Sequence, residues 1–210
     1  MARYKNGVLG QFTGTVGTVV GSQWNGISYM RSRSGKKSGG SSPLQLEQQA
    51  KFKTMVQFLM PIKDLLMSSC YTANERKTGY NIALGYNIKR AIAGTYPNFT
   101  IDYALVKLSL GWVATLLAAK ATANSNGTIT VSWQSVATQT NANTADEVVL
   151  MVYCPSVQEF IYQPASGTRG SGQASIDAAV LKQHVVHVYA ACVDTNGHFS
   201  DSVYLGMLTL

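Results

Sequence analysis

The glycines near the start of the chain are the residues whose type and spacing most resemble a functional motif, a phosphate-binding loop. The stretch "NGVLGQFTGTVGTVVGSQWNGISYMRSRSGKKSGG", residues 6–40, has glycines at positions 7, 10, 14, 17, 21 and 26. Glycine-rich loops hold phosphate when they follow GxGxxG between a strand and a helix, or GxxxxGK[ST]. Neither pattern occurs, because the run contains no GxG and Lys37 stands where the second pattern needs Ser or Thr. We therefore do not expect a nucleotide site.

The other reactive residue types form no catalytic or metal-binding pattern. His184 and His187 lie three residues apart in a strand-like segment, so their side chains are expected on opposite faces. His198 belongs to a turn, and no GxSxG motif provides a nucleophilic serine. The cysteines, at positions 70, 154 and 192, form no CxxC pair. We predict that the protein is not an enzyme and has no catalytic residues, cofactor or metal site.

A basic segment follows the glycine run and could bind nucleic acid. It consists of Arg31, Arg33, Lys36 and Lys37, and Trp24 and Tyr29 precede it. Cationic side chains bind a phosphate backbone while aromatic rings stack on bases. The chain has no recognisable nucleic-acid-binding motif, and the same segment could instead dock on an acidic face of a neighbouring chain. Nucleic-acid binding is therefore the alternative hypothesis.

The distribution of charge favours self-association. Only 13% of the residues are charged, so the surface must be rich in uncharged polar residues. Residues 1–110 contain fourteen Lys and Arg against four Asp and Glu, whereas residues 111–210 contain three against six. The two halves thus carry net charges of +10 and −3. Opposite charges on one chain can attract successive copies of it.

The glycine run itself is expected to form strands. Asn6-Gly7 and Asn25-Gly26 are hairpin signals, and the stretch between them is rich in Val and Thr. Six glycines would cost a helix about 1 kcal/mol each. We predict a β arm in which the glycines mark bulges or close approaches of the backbone. Its expected contacts with a neighbouring copy are Val8, Phe12, Val16, Val19, Trp24, Ile27 and Tyr29.

Two helices are expected after the arm. Ser42, Pro43 and Gln45 mark the start of the first, which Pro61 should break near Met60. The second should lie within residues 75–93 and end at Gly94.

From residue 104 the pattern predicts short strands separated by turns. They are "ALVKLSLG", "TITVSWQ", "EVVLMVYCP", "QEFIYQ", "GQASID", "VVHVYAACVD" and "DSVYLGMLTL". Seven strands in about 100 residues are typical of an immunoglobulin-like sandwich. Tyr189 stands where a fibronectin type III-like domain places a tyrosine. We predict an α+β protein with a glycine-rich β arm and a helical pair in residues 1–103 and an immunoglobulin-like β-sandwich in residues 104–210.

Motifs throughout the chain also resemble those of a known family. They are "GxxGxVGxxVGSxWNGxxYxRS" at residues 10–32, "QFLMPIKDLL" at 57–66, "KTGYNIALGYNIKRAIAGTYPNFTIDY" at 77–103 and the closing "DSVYLGMLTL". They are similar to those of a family of unknown function common in Bacteroidota. The resemblance implies no particular activity.

The leading functional hypothesis is a non-enzymatic structural subunit. We expect it to assemble with copies of itself, as a filament, tube or virion-like particle, through the β arm. A module that binds glycans or proteins through the loops of the sandwich is a third hypothesis. No conventional signal peptide and no membrane span are expected. The final location stays open between an extracellular filament, a virion particle and other sites.

Overall fold

The computed structural model describes residues 2–4, 10–24, 26–35, 39–71, 77–135 and 139–210. The chain divides into two compact units, Met1–Ser42 and Pro43–Leu210. Strands predominate and helices accompany them in the second unit, so the α+β class agrees with the sequence prediction.

The first unit is an antiparallel sheet of four strands in chain order. The strands are β1 (Arg3–Tyr4), β2 (Phe12–Val16), β3 (Val19–Trp24) and β4 (Ile27–Ser32). Gly17 and Gly26 have φ angles of 57° and 79° in the two tight turns, where residues with a side chain would be strained. The Val- and Thr-rich stretch on either side of the first turn forms β2 and β3, as the sequence predicts.

Strands β2 and β3 approach each other closely. Gly14 of β2 pairs with Gly21 of β3 and has a φ angle of 109°. The ring of Phe12 then lies over Gly21, where an added Cβ would overlap the carbonyl oxygen of Phe12 and lie 2.7 Å from its ring. Gly21 is thus one of the close backbone approaches expected from the spacing of the glycines.

The second unit begins with the predicted helices. They are α1 (Pro43–Leu59), a 3-10 helix (Met60–Ile62), α2 (Lys63–Ser69) and α3 (Gly79–Arg90), and the hairpin β5 (Ile92–Thr95) and β6 (Asn98–Ile101) follows. The predicted break at Pro61 is confirmed. Helix α3 ends at Arg90, before the predicted stop, because Ile92 already pairs with Ile101; Gly94 lies inside the hairpin.

Seven further strands form two antiparallel sheets. They are β7 (Lys120–Ala123), β8 (Thr128–Ser132), β9 (Glu147–Cys154), β10 (Glu159–Thr168), β11 (Gln173–Asp177), β12 (Val185–Val193) and β13 (Val203–Thr209). One sheet has the order β10-β9-β12-β13 and the other β11-β8-β7.

The strand predicted at "ALVKLSLG" is wrong. Residues 104–111 form no regular strand, and only Leu110 makes an isolated bridge, to Cys70. Val106 and Leu108 are buried, as their apolar character requires, but the backbone beside them bonds to the side chains of Asn87 and Ser202 instead of a neighbouring strand. The sequence also missed β7, whose residues KATA include no Val, Ile or aromatic side chain.

The four-stranded sheet is buried on both faces along its central strands, β9 and β12. On its inner face Val148, Leu150 and Val188 share a core with residues of the three-stranded sheet such as Val131 and Ile176. On its outer face lie Val149, Met151 and Tyr189, in a second core with helical residues that include Met55, Leu59 and Leu84. The helices therefore belong to the same compact unit as the sheets. The division of the chain at residues 42/43 does not coincide with the boundary predicted at 103/104.

Tyr189 illustrates this arrangement. Its hydroxyl donates to the carbonyl oxygen of Tyr103, 2.7 Å away, and its ring lies in the core shared with the helices. The bond fixes the end of the β5–β6 region to the sheet. In the tyrosine corner of immunoglobulin-like domains, the hydroxyl instead bonds to a backbone group only a few residues upstream of the tyrosine.

Candidate interaction surfaces

The pairing of β3 with β4 assigns the N-terminal side chains to two faces. Residues directly opposite each other in a sheet share a face, as does every second residue along a strand. The pairs Val20–Arg31, Ser22–Tyr29 and Trp24–Ile27 therefore lie on one face, which we call the aromatic face. The pairs Val19–Ser32, Gly21–Met30 and Gln23–Ser28 lie on the opposite face.

The aromatic face is exposed. Trp24, Ile27 and Tyr29 keep 43%, 49% and 43% of their surface accessible, and all six residues of β4 are exposed. Among the described residues of the first unit only Gly21 is buried. The sheet thus has almost no core of its own, although its side chains include large apolar ones.

The seven predicted arm contacts do not form one surface. Trp24, Ile27 and Tyr29 lie together on the aromatic face, whereas Val16 and Val19 pair with each other on the opposite face. Phe12 packs on Gly21, and Val8 lies outside the described residues. The sequence missed Met30, whose side chain is 71% exposed on the opposite face. The alternation of β4 with β3 would have revealed both faces once the Asn25-Gly26 turn was known.

Two residues of the predicted basic patch are described. Arg31 lies on the aromatic face, opposite Val20. Arg33 follows β4, where its backbone N–H donates to the carbonyl oxygen of Thr18 at 2.7 Å. Both are exposed, whereas Lys36 and Lys37 lie outside the described residues. The structure therefore combines one cationic side chain with the exposed aromatic rings.

A second aromatic group lies in the second unit, and the sequence analysis missed it. Trp112 and Tyr71 are 61% and 59% exposed, and their planes differ by 13° at a centroid distance of 6.4 Å. The ring of His198 stands edge-on to both, 5.0 Å from Trp112 and 6.2 Å from Tyr71. These three rings, which we call the ring cluster, come from segments far apart in sequence. An isolated Trp just after the apolar "ALVKLSLG" was the only available signal.

Asp194 organises the turn that carries His198. One carboxylate oxygen accepts hydrogen bonds from the backbone N–H groups of Asn196 and His198, and the other lies 3.0 Å from Nδ1 of His198. Burial raises the pKa of Asp194, but these hydrogen bonds from His198 and Asn196 outweigh it and hold the pKa below its usual value. The carboxylate is therefore ionised at neutral pH and keeps the histidine ring in place.

A cavity of about 350 Å³ adjoins the ring cluster. Its lining includes Trp112, Asn141, Asn143, Asp194 and Asn196. The cavity lies where the chain before β9 meets the β12–β13 turn, within the second unit.

Asp146, which lines this cavity, belongs to a buried ion pair. Nε of Arg169 lies 3.1 Å from the carboxylate of Asp146, and both side chains are almost fully buried. The same guanidinium donates to the carbonyl oxygens of Ala114 and Thr115, at 2.6 Å and 3.2 Å. The carbonyl oxygen of Arg169 accepts from the indole N–H of Trp133 at 2.7 Å. Every polar group of the pair thus has a partner, as a buried pair requires.

A family model for a family of unknown function, DUF6266, matches residues 11–206. The chain belongs to the DUF6266 family. No curated protein matches the DUF6266 chain in sequence. Among solved structures, the fibronectin type III domain of the human collagen alpha-1(XX) chain is similar over 46% of this chain and 84% of that domain. The identity is 9% and the TM-score 0.35, so this likeness is weak.

The histidines and cysteines of the DUF6266 chain have structural surroundings. Nδ1 of His187 lies 2.9 Å from the hydroxyl of Tyr204, and that of His184 lies 2.9 Å from Oγ of Ser156. The three cysteines are buried, and burial raises the pKa of Cys70 and Cys192 to about 11, so these thiols are protonated at neutral pH. The described residues contain no group of three or more His, Cys, Asp and Glu that could hold a metal ion. None of the described helices is long and apolar enough to cross a membrane.

Proposed function

We propose that this chain is a non-enzymatic structural subunit that assembles with copies of itself through its N-terminal sheet. The observation that carries the proposal is the exposed aromatic face, on a sheet that has almost no core of its own. A sheet of this size needs a covered apolar face to be stable. A second copy of the chain is the partner that every solution of the protein contains.

Covering the aromatic face would supply part of the free energy that association needs. Complete burial of a large apolar side chain stabilises by about 1.5–3 kcal/mol. Trp24, Ile27 and Tyr29 have roughly half of their surface still to bury. Together they would contribute about 2–4 kcal/mol before the cost of association is subtracted. Pairing at the exposed edge strand β4 would add backbone hydrogen bonds.

The charges favour an open assembly such as a filament, tube or virion-like particle. Residues 1–42 contain six Lys and Arg and no Asp or Glu, whereas residues 111–210 carry a net charge of −3. Attraction between the N-terminal sheet of one copy and the acidic half of the next is a head-to-tail contact. Such contacts continue from copy to copy unless their rotation closes a ring. An extracellular filament or a virion particle would be a suitable place for this assembly.

The second unit would serve as the body of the subunit. We infer that its three-stranded and four-stranded sheets form an immunoglobulin-like sandwich of the fibronectin type III kind. The strand orders β11-β8-β7 and β10-β9-β12-β13 and the core that the two sheets share support this interpretation.

The test compares variants of the two faces of the first unit. Replacing Trp24 and Tyr29 by Ser removes two rings from the aromatic face. Met30→Ser is the matched change on the opposite face, at a side chain that is more exposed than either ring. Sedimentation velocity and negative-stain electron microscopy should show large particles for the unaltered protein and for the Met30 variant, and single chains for the double variant. A wild-type protein that stays monomeric at all accessible concentrations contradicts the proposal.

Binding to single-stranded nucleic acid is the second candidate. The observation in its favour is that Arg31 shares the aromatic face with Trp24 and Tyr29. Rings on a sheet can stack on bases while an arginine contacts phosphate. Fluorescence anisotropy with labelled DNA and RNA oligonucleotides should then show binding that weakens with salt and with Arg31→Gln. Absence of binding at low salt would exclude this candidate and leave self-assembly untouched.

A further inference from the structure

We propose that the ring cluster and the cavity beside it form a binding site for a neutral carbohydrate. The site lies wholly within the second unit and is independent of the N-terminal sheet. Its elements are exposed aromatic rings and adjoining polar groups, the combination that recognises a ring with one apolar C–H face and hydroxyl groups on its edge.

The aromatic part of the site consists of Trp112 and Tyr71, whose rings are stacked at a centroid distance of 6.4 Å. Their nearly parallel rings, 13° apart in orientation, are both more than half exposed. An isolated exposed aromatic residue needs no explanation, but two adjacent, nearly parallel rings beside a cavity do. The C–H face of a pyranose ring can lie on the exposed ring of Trp112, which also lines the cavity, and remove part of that ring from water.

The backbone holds this surface in place before any ligand arrives. The N–H of Tyr71 donates to the carbonyl oxygen of Leu110 at 2.9 Å, and the N–H of Val113 donates to that of Phe199 at 3.3 Å. The N–H of Gly111 donates to the carboxylate of Asp201 at 3.1 Å. Both ring-bearing segments are therefore tied to the body of the unit. A preformed site loses less entropy on binding.

The cavity offers polar groups suited to hydroxyls. The side-chain amides of Asn141 and Asn196 have no hydrogen-bond partner among the described residues, and both line the cavity. An amide can donate to one hydroxyl and accept from another. Asn141 has a φ angle of 66°, and its carbonyl oxygen accepts from the N–H of Ala114 at 3.2 Å. Asparagine tolerates this left-handed conformation better than most residues, so the loop keeps the amide at the cavity.

The electrostatics favour a neutral ligand. Among the described residues that line the cavity there is no Lys or Arg. The two carboxylates of the cavity already have partners, because Asp146 pairs with Arg169 and Asp194 pairs with His198. An anionic ligand would therefore meet no compensating charge. The volume of about 350 Å³ lies at the lower end of the ~300–1,000 Å³ typical of small-ligand pockets.

The test uses the full-length chain and a set of defined carbohydrates. An array of immobilised neutral and acidic oligosaccharides, followed by calorimetry with the soluble form of each positive, should show binding to neutral members. Trp112→Ala should weaken that binding at least tenfold, and Trp112→Phe should restore part of it. Asn141→Gly, which keeps the backbone conformation and removes the amide, should weaken it severalfold.

The control is Tyr162→Ala, because Tyr162 is an exposed ring on β10 outside the cavity lining. It should leave carbohydrate binding unchanged, and thermal unfolding should show that all variants are folded. Three results overturn the proposal: no binding to any neutral carbohydrate, binding that Trp112→Ala does not change, or binding confined to acidic members. If Trp112→Ala instead abolishes association between chains without any carbohydrate binding, the ring cluster is a protein contact and the proposal fails.

Discussion

Two glycines of helix α3 look alike in the sequence but should respond oppositely to substitution by alanine. Gly79 is the buried first residue of the helix, and Gly85 lies exposed in its middle. A Cβ at Gly79 would overlap the carbonyl oxygen of Leu66 and lie 2.7 Å and 3.0 Å from those of Met67 and Cys70. A Cβ at Gly85 would meet no atom within 4 Å. The pair therefore separates close packing from helix propensity.

The expected sizes follow from these surroundings. The atoms around Gly79 belong to the backbone of α2 and the residue after it, so they cannot rotate away as a side chain would. Overpacking of this kind costs about 1–3 kcal/mol, and we expect Gly79→Ala to lie near 3 kcal/mol. Gly85→Ala should instead stabilise the protein by about 0.5–1 kcal/mol, because alanine loses less backbone entropy in a helix.

Urea unfolding followed by circular dichroism measures both free energies. The two variants should differ by about 4 kcal/mol, which corresponds to roughly 8–16 °C in Tm for a unit of this size. If Gly79→Ala is as stable as the unaltered protein, or if both substitutions change stability in the same direction, the packing of α3 against α2 described above is incorrect.

Two further predictions concern buried polar side chains. The side chain of Asn87 is buried, accepts a hydrogen bond from the N–H of Lys107 and donates one to the carbonyl oxygen of Lys107, both at 2.8 Å. Asn87→Ala should therefore lower the free energy of unfolding by about 3 kcal/mol, whereas Asn81→Ala, at an exposed position, should change it by less than about 0.5 kcal/mol. Urea unfolding of both variants measures this difference. Burial lowers the pKa of His187, so the unfolded chain takes up a proton first as pH falls below about 6.5. The contribution of His187 to the free energy of unfolding should therefore be fully present above that pH and be lost as the pH falls below it. Urea unfolding at a series of pH values should show a smaller decline in this free energy for His187→Gln than for the unaltered protein.

The elements that the sequence predicted correctly are those with local signals. The start of α1 follows Ser42 directly, Pro61 interrupts the helix, and the turn at Gly26 joins β3 to β4. Each depends on the conformational preference of one or two residues. Such signals do not require knowledge of the rest of the fold.

The incorrect and missing elements depend on contacts between distant residues. Residues 104–111 are apolar enough for a strand, but Asn87 and Ser202 occupy the hydrogen-bonding groups that a neighbouring strand would use. The ring cluster joins Tyr71, Trp112 and His198, which no spacing rule connects. The sequence likewise placed the arm contacts in one set, because the two faces become distinct only once the pairing of β3 with β4 is known.

The helices that cover the outer face of the four-stranded sheet affect how this protein can be divided or recombined. Antiparallel sheets commonly leave one face to water, and a module built from such sheets can be moved into another chain without further elements to cover that face. Here a fragment starting at residue 104 would expose Val149, Met151 and Tyr189, all buried in the complete unit. Grafting that fragment into another chain should yield an insoluble product, whereas one starting at Pro43 retains its cover. Recombination in the laboratory or in evolution must therefore transfer residues 43–210 together.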